Sequence, residues 1–318
     1  MTGQRYDRSS QDLGNIVNLG HVNFCITDQH LATYYYISGL GLTRDPFLNT
    51  GPRNMWVNVG MSQFHLPAGK PDVLRGITGL VVSDRAALLD RLTQVTKPLE
   101  GTKFQFRESN DCVETVCPWG NRINVHAPDE SRFGRIVLGM PYIEFDVRPG
   151  TAERIARFYR EVMGALTTPV ENGAGRAARV QVGEKQYWYF RETDAPEQPY
   201  ERHHAQIYIA NFSGPWRRLK ELGLLTLEVN DCEYRFKDVI DLETREVLFT
   251  VEHEVRSQTH PMFGRPLVNR NPAQSNRNYK PGHDAMSWAM TIHLVSPARA
   301  ANGRGITCAE FKSASTGC

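Results

Sequence analysis

Residues 59–67, VGMSQFHLP, align with residues 182–190, VGEKQYWYF, at an offset of 123. The same offset sets YYISGLG (35–41) on FYREVMG (158–164) and HVNF (21–24) on EFDV (144–147). Three blocks in one order at one offset mark an internal repeat, and a repeat has to be recognised before a fold is chosen. A second pair of blocks lies between them. GITGLVVSDRAALLDRLTQ (76–94) matches HAQIYIANFSGPWRRLKELG (204–223) at an offset of 127, with Val82 on Ile209 and Leu92 on Leu219. Each is followed by an aromatic strand, FQFR (104–107) or YRFK (234–237), and by a closing strand, INVHA (123–127) or LFTVEHEV (248–255).

The local pattern gives each repeat its shape. In LGHVNFCITD (19–28) Val22, Phe24 and Ile26 alternate with His21, Asn23 and Cys25, the period of a half-buried strand. Asp28 fits a helix N-cap for HLATYYYISGLGL, and Gly39 and Gly41 suit its stop. MWVNV and QFHLP then read as two strands joined at Gly60-Met61-Ser62. Each unit is therefore strand–helix–strand–strand–strand. Four such units are expected near 16–67, 76–127, 141–192 and 203–255, paired first with second and third with fourth. The fold class is α+β, with the four βαβββ modules forming two curved mixed sheets. A doubly wound α/β fold would alternate strands and helices one for one, and this chain does not. Gly173 to Ala178 (GAGRAA) fits the dinucleotide G-x-G-x-x-A expression, but it precedes a strand rather than a helix and is set aside. The expected divisions are a disordered N-terminus (1–15), an N-terminal domain (16–130), a C-terminal domain (131–258) and an arm with a mobile tail (259–318).

Composition narrows the function classes. Lys+Arg 37 against Asp+Glu 35 in 318 residues leaves a net charge of +2, so no overall field recruits nucleic acid or an anionic membrane. No run of 18 or more apolar residues is present, and MTGQRYDRSSQDLGN has no apolar core of a secretory signal. The six cysteines (25, 112, 117, 232, 308 and 318) are sparse and include no C-x-x-C pair. A reduced, cytoplasmic protein is expected.

LGHVNFCITD with YYISGLGL, the Gly-Asn-Arg-Ile of 120–123 before a closing strand, and the fourfold βαβββ repeat resemble the vicinal oxygen chelate superfamily. That superfamily includes glyoxalase I, bleomycin- and fosfomycin-resistance proteins and type I extradiol dioxygenases, and the resemblance covers about residues 16–255. It implies that two units join their strands into a cup with the helices outside. It also implies that first and last strands project ligands for a divalent metal, usually two His and one Glu, onto which a small substrate chelates through adjacent oxygens.

Strand alternation gives the candidates. Glu144, His204 and Glu252 fall on interior faces of three strands and form the expected metal site, with Glu144 or Glu252 also serving as general base. Two carboxylates and one imidazole favour Fe(II) or Mn(II), and also admit Zn(II) or Ni(II). Glu144 stands where the family commonly has its first His. The His-x-Tyr and Asp-Pro-x-Gly run of extradiol dioxygenases is missing ahead of Glu252. The secondary candidates are His21 and His65, 44 residues apart at first-strand and last-strand positions, and His126. Against these stand structural readings. The carboxylates can pair with Arg256, Arg191 or Arg179, and the imidazoles can be hydrogen-bonded core groups. His203 and His253 alternate away from the interior and read as packing residues.

The stretch from Val255 to His283 contains no acidic residue and carries Arg256, Arg265, Arg270, Arg277, Lys280 and four prolines. It reads as an irregular arm, either covering a cup mouth and offering cations to an anionic substrate or solvated on the surface. MSWAMTIHL (286–294) reads as a short strand or helix, and the last two dozen residues lack periodicity. The leading function is a metal-dependent enzyme, dioxygenase-like or glyoxalase-like, acting on a small molecule with vicinal oxygens. The alternative is a metal-free binding or sequestering protein whose cup is lined by Trp188, Tyr187, Tyr189, Trp56 and Tyr208. A third class is an assembly protein that uses the basic arm. A small-molecule substrate is the expected partner, with neither nucleic acid nor membrane, and the reading accommodates a homodimer.

Overall fold

The computed structural model describes residues 6–46, 53–172 and 175–265. The arm beyond Arg265, the 286–294 segment and the tail lie outside the described residues, as do residues 1–5 and the first two residues of the glycine-rich 173–178 stretch.

The first unit runs β1 (Ile16–Asn23), α1 (Gln29–Ala32), β2 (Thr43–Arg44), β3 (Asn54–Val59) and β4 (Ser62–Pro67). The second has β5 (Gly76–Val81), α2 (Arg85–Gln94), β6 (Gln105–Glu108), β7 (Val113–Val116) and β8 (Arg122–His126). A short α3 (Glu130–Phe133) leads to the third: β9 (Gly139–Val147), α4 (Ala152–Glu161), β10 (Thr167–Asn172), β11 (Gly175–Gly183) and β12 (Gln186–Glu192). The fourth has β13 (His204–Ile209), α5 (Ser213–Glu221), β14 (Leu225–Asn230), β15 (Glu233–Ile240) and β16 (Val247–Ser257). Asp28 caps α1 as expected, its Oδ1 accepting from the His30 and Leu31 amides at 2.6 and 3.4 Å. The helix then widens into a π-helical segment, Thr33–Gly39, and the chain turns out of it through Gly41 at φ +73°. No helix among the described residues is long and apolar enough to cross a membrane.

The units assemble in an order that the repeat did not announce. One eight-stranded sheet runs β14-β15-β16-β13-β1-β4-β3-β2, and the other runs β10-β11-β12-β9-β5-β8-β7-β6. The first unit therefore joins the fourth and the second joins the third. This corrects the expected pairing of first with second and third with fourth, and both sheets cross the expected division at 130/131. The reason is that the units are alike. Any two can complete a sheet by setting their first strands antiparallel, so the pattern within a unit carries no information about its mate. In the outer pair the seam is β1 against β13, with Val22 opposite Ala205; in the inner pair it is β5 against β9, with Thr78 opposite Ile143.

Helices fill the space between the sheets. Phe64 of β4 packs between Phe24 and Tyr36, its ring 6.1 Å from that of Phe24 and 5.1 Å from that of Tyr36. From α4, Phe158 reaches Phe236 and Tyr159 reaches His253 of the opposite sheet. One apolar core consequently unites all four units. Polar ties reinforce it. Gln186 accepts from the Leu19 amide at 3.0 Å and donates to Ser62 Oγ and to the Met140 carbonyl, both at 3.1 Å. Gly60, at φ +60°, passes so close to Leu138 that a Cβ would lie 2.0 Å from its carbonyl oxygen. The expected disorder of 1–15 does not extend to Asn15. Its Nδ2 donates to the Met163 carbonyl at 2.8 Å and its Oδ1 accepts from the Asn211 amide at 2.6 Å.

Candidate metal centre

The seam of the outer pair builds the densest cluster of ligand-type side chains among the described residues. Asn23 lies opposite both His65 on β4 and His204 on β13, and His204 lies opposite Glu252 on β16. Side chains two residues apart share a face, so His21, two before Asn23, and Glu254, two after Glu252, close the ring. His21 Nε2 is 3.3 Å from His204 Nε2. Glu254 Oε2 is 3.2 Å from His204 Nε2 and 3.8 Å from His21 Nε2. His65 offers a ring nitrogen within 4.8 Å of those of His21 and His204.

These atoms fit a divalent ion. A triangle with sides of 3.3, 3.2 and 3.8 Å has a point about 2.0 Å from all three corners, an ordinary metal–nitrogen or metal–oxygen length. The chemistry of the set agrees, because burial drives the His21 imidazole well below its usual range and the His65 imidazole down to about 3. Both rings are neutral at physiological pH and keep a lone pair for a metal. His65 Nε2 is buried without a protein partner, while its Nδ1 lies 2.7 Å from the Asn23 amide. With the amide oxygen turned to Nδ1–H, that contact leaves the Nε2 lone pair free. Trp56 stacks on His65 with centroids 3.9 Å apart and meets His21 edge-on, which fixes both rings.

Glu254 is the charge centre of the site and is 2% exposed. Burial alone would raise its carboxyl, but Arg256, aided by His21 and His204, holds it well below the carboxylate range. Arg256 Nη2 is 2.5 Å from Oε1, and Arg235 Nη2 donates to Oε2 at 2.6 Å. Glu233 links the two guanidiniums from the far side, at 3.2 Å to Arg235 and 3.1 Å to Arg256.

Of the residues expected to form the site, His204 joins the cluster and the two carboxylates do not. Glu144 stands on β9 in the other sheet and accepts from Arg191 at 2.8 Å. Glu252 shares its face with Glu254 but is drawn to Arg235 at 2.8 Å and Lys237 at 3.9 Å. His21 and His65, the secondary candidates, are in the cluster. His126 is not; it faces Tyr142 in the other sheet, its Nε2 2.9 Å from the hydroxyl, with Asp111 and Cys112 nearby. Arg132 already occupies Asp111 there. Glu254 is the residue that the sequence reading passed over. Its position on the interior face was legible, but choosing it over Glu252, which the register sets beside His204, needs the side-chain contacts of the folded site. His203 and His253 are buried packing residues, and His253 stacks on Phe236 at 4.0 Å. The described start of the arm packs on the cup. Met262 joins Trp56 and Tyr208 in a small apolar cluster, and Arg265 donates to Asp45 at 2.6 Å. Trp188 is fully buried core rather than a cup wall.

No protein-family profile matches the sequence and no curated protein matches it. Solved structures do. Glyoxalase I from Zea mays superposes with a TM-score of 0.55 at 13% identity, over 76% of this chain and 92% of that one. A Bacillus subtilis protein whose dioxygenase assignment is itself provisional superposes at 0.51 and 14% identity, over 85% of this chain and 92% of its own. The chain shares the fold of these structures. His21, His65, His204 and Glu254 occupy the first and last strands of the two paired units.

Proposed function

We propose that His21, His65, His204 and Glu254 hold one divalent metal ion, and that the protein is a metal-dependent enzyme acting on a small molecule with adjacent oxygens. The observation that carries this reading is the convergence of three imidazoles and one ionised carboxylate on a space the size of an ion. Two His nitrogens and one carboxylate oxygen within 3.2–3.8 Å of one another suit Fe(II) and also accommodate Mn(II), Zn(II) or Ni(II). A bound ion would supply Lewis acidity toward the oxygens of an enediol, hydroxy-carbonyl or catechol-type substrate. The chain's own residues do the rest. Trp56 and Asn23 hold His65 in orientation, Arg235 and Arg256 keep Glu254 ionised, and Met262 and Tyr208 keep bulk water from the cup. Structures of this fold include glyoxalase I and a protein provisionally assigned as a dioxygenase, so isomerase and dioxygenase chemistry are the two reaction classes to assay.

One observation favours a second reading. Glu254 already has two arginine partners, so a metal-free cup that binds a small molecule is electrostatically complete. Elemental analysis of protein purified without added metal separates the two. The enzyme reading expects about one divalent ion per chain, lost in His204→Ala and in Glu254→Gln. Wild-type protein that stays metal-free after incubation with Fe(II), Mn(II), Zn(II) and Ni(II) would establish the binding protein instead.

A further inference from the structure

Beside the cluster lies a cavity of about 200 Å³ whose lining includes His21, Gln63, Gln206, Tyr208, Met262 and Phe263. It is smaller than the roughly 300–1,000 Å³ of sites for drug-sized ligands. Gln206 is 0% exposed, yet neither its side-chain oxygen nor its nitrogen has a protein partner. Buried amides are ordinarily hydrogen-bonded, so one left open on both atoms at a cavity wall is arranged for something that enters the cavity. The neighbouring Gln63 is already committed, its Nε2 donating to Asp45 at 2.6 Å and to Asn58 at 2.7 Å. The fold also makes room for Gln206. A Cβ on Gly20 would lie 1.8 Å from Gln206 Oε1 and 2.8 Å from the Tyr208 ring, so only glycine at that position lets the amide stand where it does.

We propose that Gln206 is a specificity-determining residue, and that its amide recognises the end of the substrate remote from the cluster by donating one hydrogen bond and accepting another. The matching group is neutral and carries a donor beside an acceptor, as a primary amide or a hydroxy-carbonyl does. A carboxylate, with acceptors alone, satisfies only half of the Gln206 side chain. This inference deepens the proposed function and rests on its placement of the site.

The test uses three probes built on one catechol ring: 3,4-dihydroxybenzamide, 3,4-dihydroxybenzoate of the same shape, and unsubstituted catechol. Calorimetric affinities are measured for wild type, Gln206→Met and Gly20→Ala, with the metal content of each determined in parallel. Gln206→Met keeps the side-chain length and removes the amide; Gly20→Ala keeps the amide and displaces it. Wild type is expected to bind the amide at least tenfold more tightly than the carboxylate or catechol. Both variants should lose that preference while retaining the metal content and catechol affinity of wild type. Equal affinity of wild type and Gln206→Met for the amide overturns the proposal whatever the metal content, and so does a wild type that does not discriminate among the probes. A preference that depends on Gln206 in a protein without metal supports the subsite and removes the metal-enzyme reading, so the two fail separately.

Discussion

The two cups share a strand plan and differ in what the plan presents. Where the outer cup has Asn23 opposite His65 and His204, the inner cup has Glu144 opposite Tyr189 and Ile77. Counting on by the same register, His21 corresponds to Tyr142 and Glu254 to Asn124. Tyr142 and Tyr189 touch edge to face at 5.9 Å, so the inner side chains converge as the outer ones do. They converge without a ligand set. Strand geometry alone therefore supplies a place where four side chains meet, and residue identity decides whether that place suits an ion. Burial sharpens the difference. Glu254 is nearly inaccessible and held by two arginines, whereas the Glu144–Arg191 pair keeps 17% and 19% of its side chains exposed.

The largest contrast should appear on removing the central carboxylate. Glu254→Gln leaves Arg256 buried with half its counter-charge gone. It should cost about 3–5 kcal/mol of stability, read by denaturant unfolding, together with the bound metal. An unfolding midpoint close to wild type would mean that the charge network is far wetter than its geometry indicates. Next comes Asn23→Ala, which frees the His65 ring without touching a ligand; metal affinity should fall about 10–100-fold, measured by competition with a chelator. Unchanged affinity would remove His65 from the ligand set and leave His21, His204 and Glu254.

Acid should reveal the buried imidazoles. His65, His203 and His253 have values pushed down to about 3 by burial, and His21 is also lowered. The unfolded chain therefore takes up protons that the folded chain refuses. Stability is full above about pH 6.5 and falls as pH drops toward 3, by about 1.4 kcal/mol per pH unit for each such group. Urea unfolding of metal-free protein between pH 7 and 4 checks the slope, and a flat profile would place these rings in contact with solvent. The smallest effects belong to the carboxylates outside the cluster. Glu252→Gln and Glu144→Gln should each change stability by about 1 kcal/mol or less and leave the metal content intact. Loss of metal in Glu252→Gln would return that residue to the centre in place of Glu254.

What the sequence determined by itself was the unit. Alternation in LGHVNFCITD, the Asp28 cap and the repeated hairpins are local, and a local pattern survives whatever the unit packs against. His21, His65 and His204 were legible as interior side chains for the same reason. The partner of each unit was not legible, because four near-equivalent modules offer several ways to close two sheets and no short-range signal ranks them. The tertiary structure chose first with fourth, and that choice brought His21 and His65 of the first unit to His204 and sent Glu144 to the other sheet. It also decided between Glu252 and Glu254. Both face the cup, and the register sets Glu252 beside His204; it is the course of the side chains, Glu254 reaching His204 at 3.2 Å while Glu252 is held by Arg235 and Lys237, that turns Glu254 to the histidines. Register and module pairing are long-range properties, set by the summed burial of many side chains, and no window along the chain contains them.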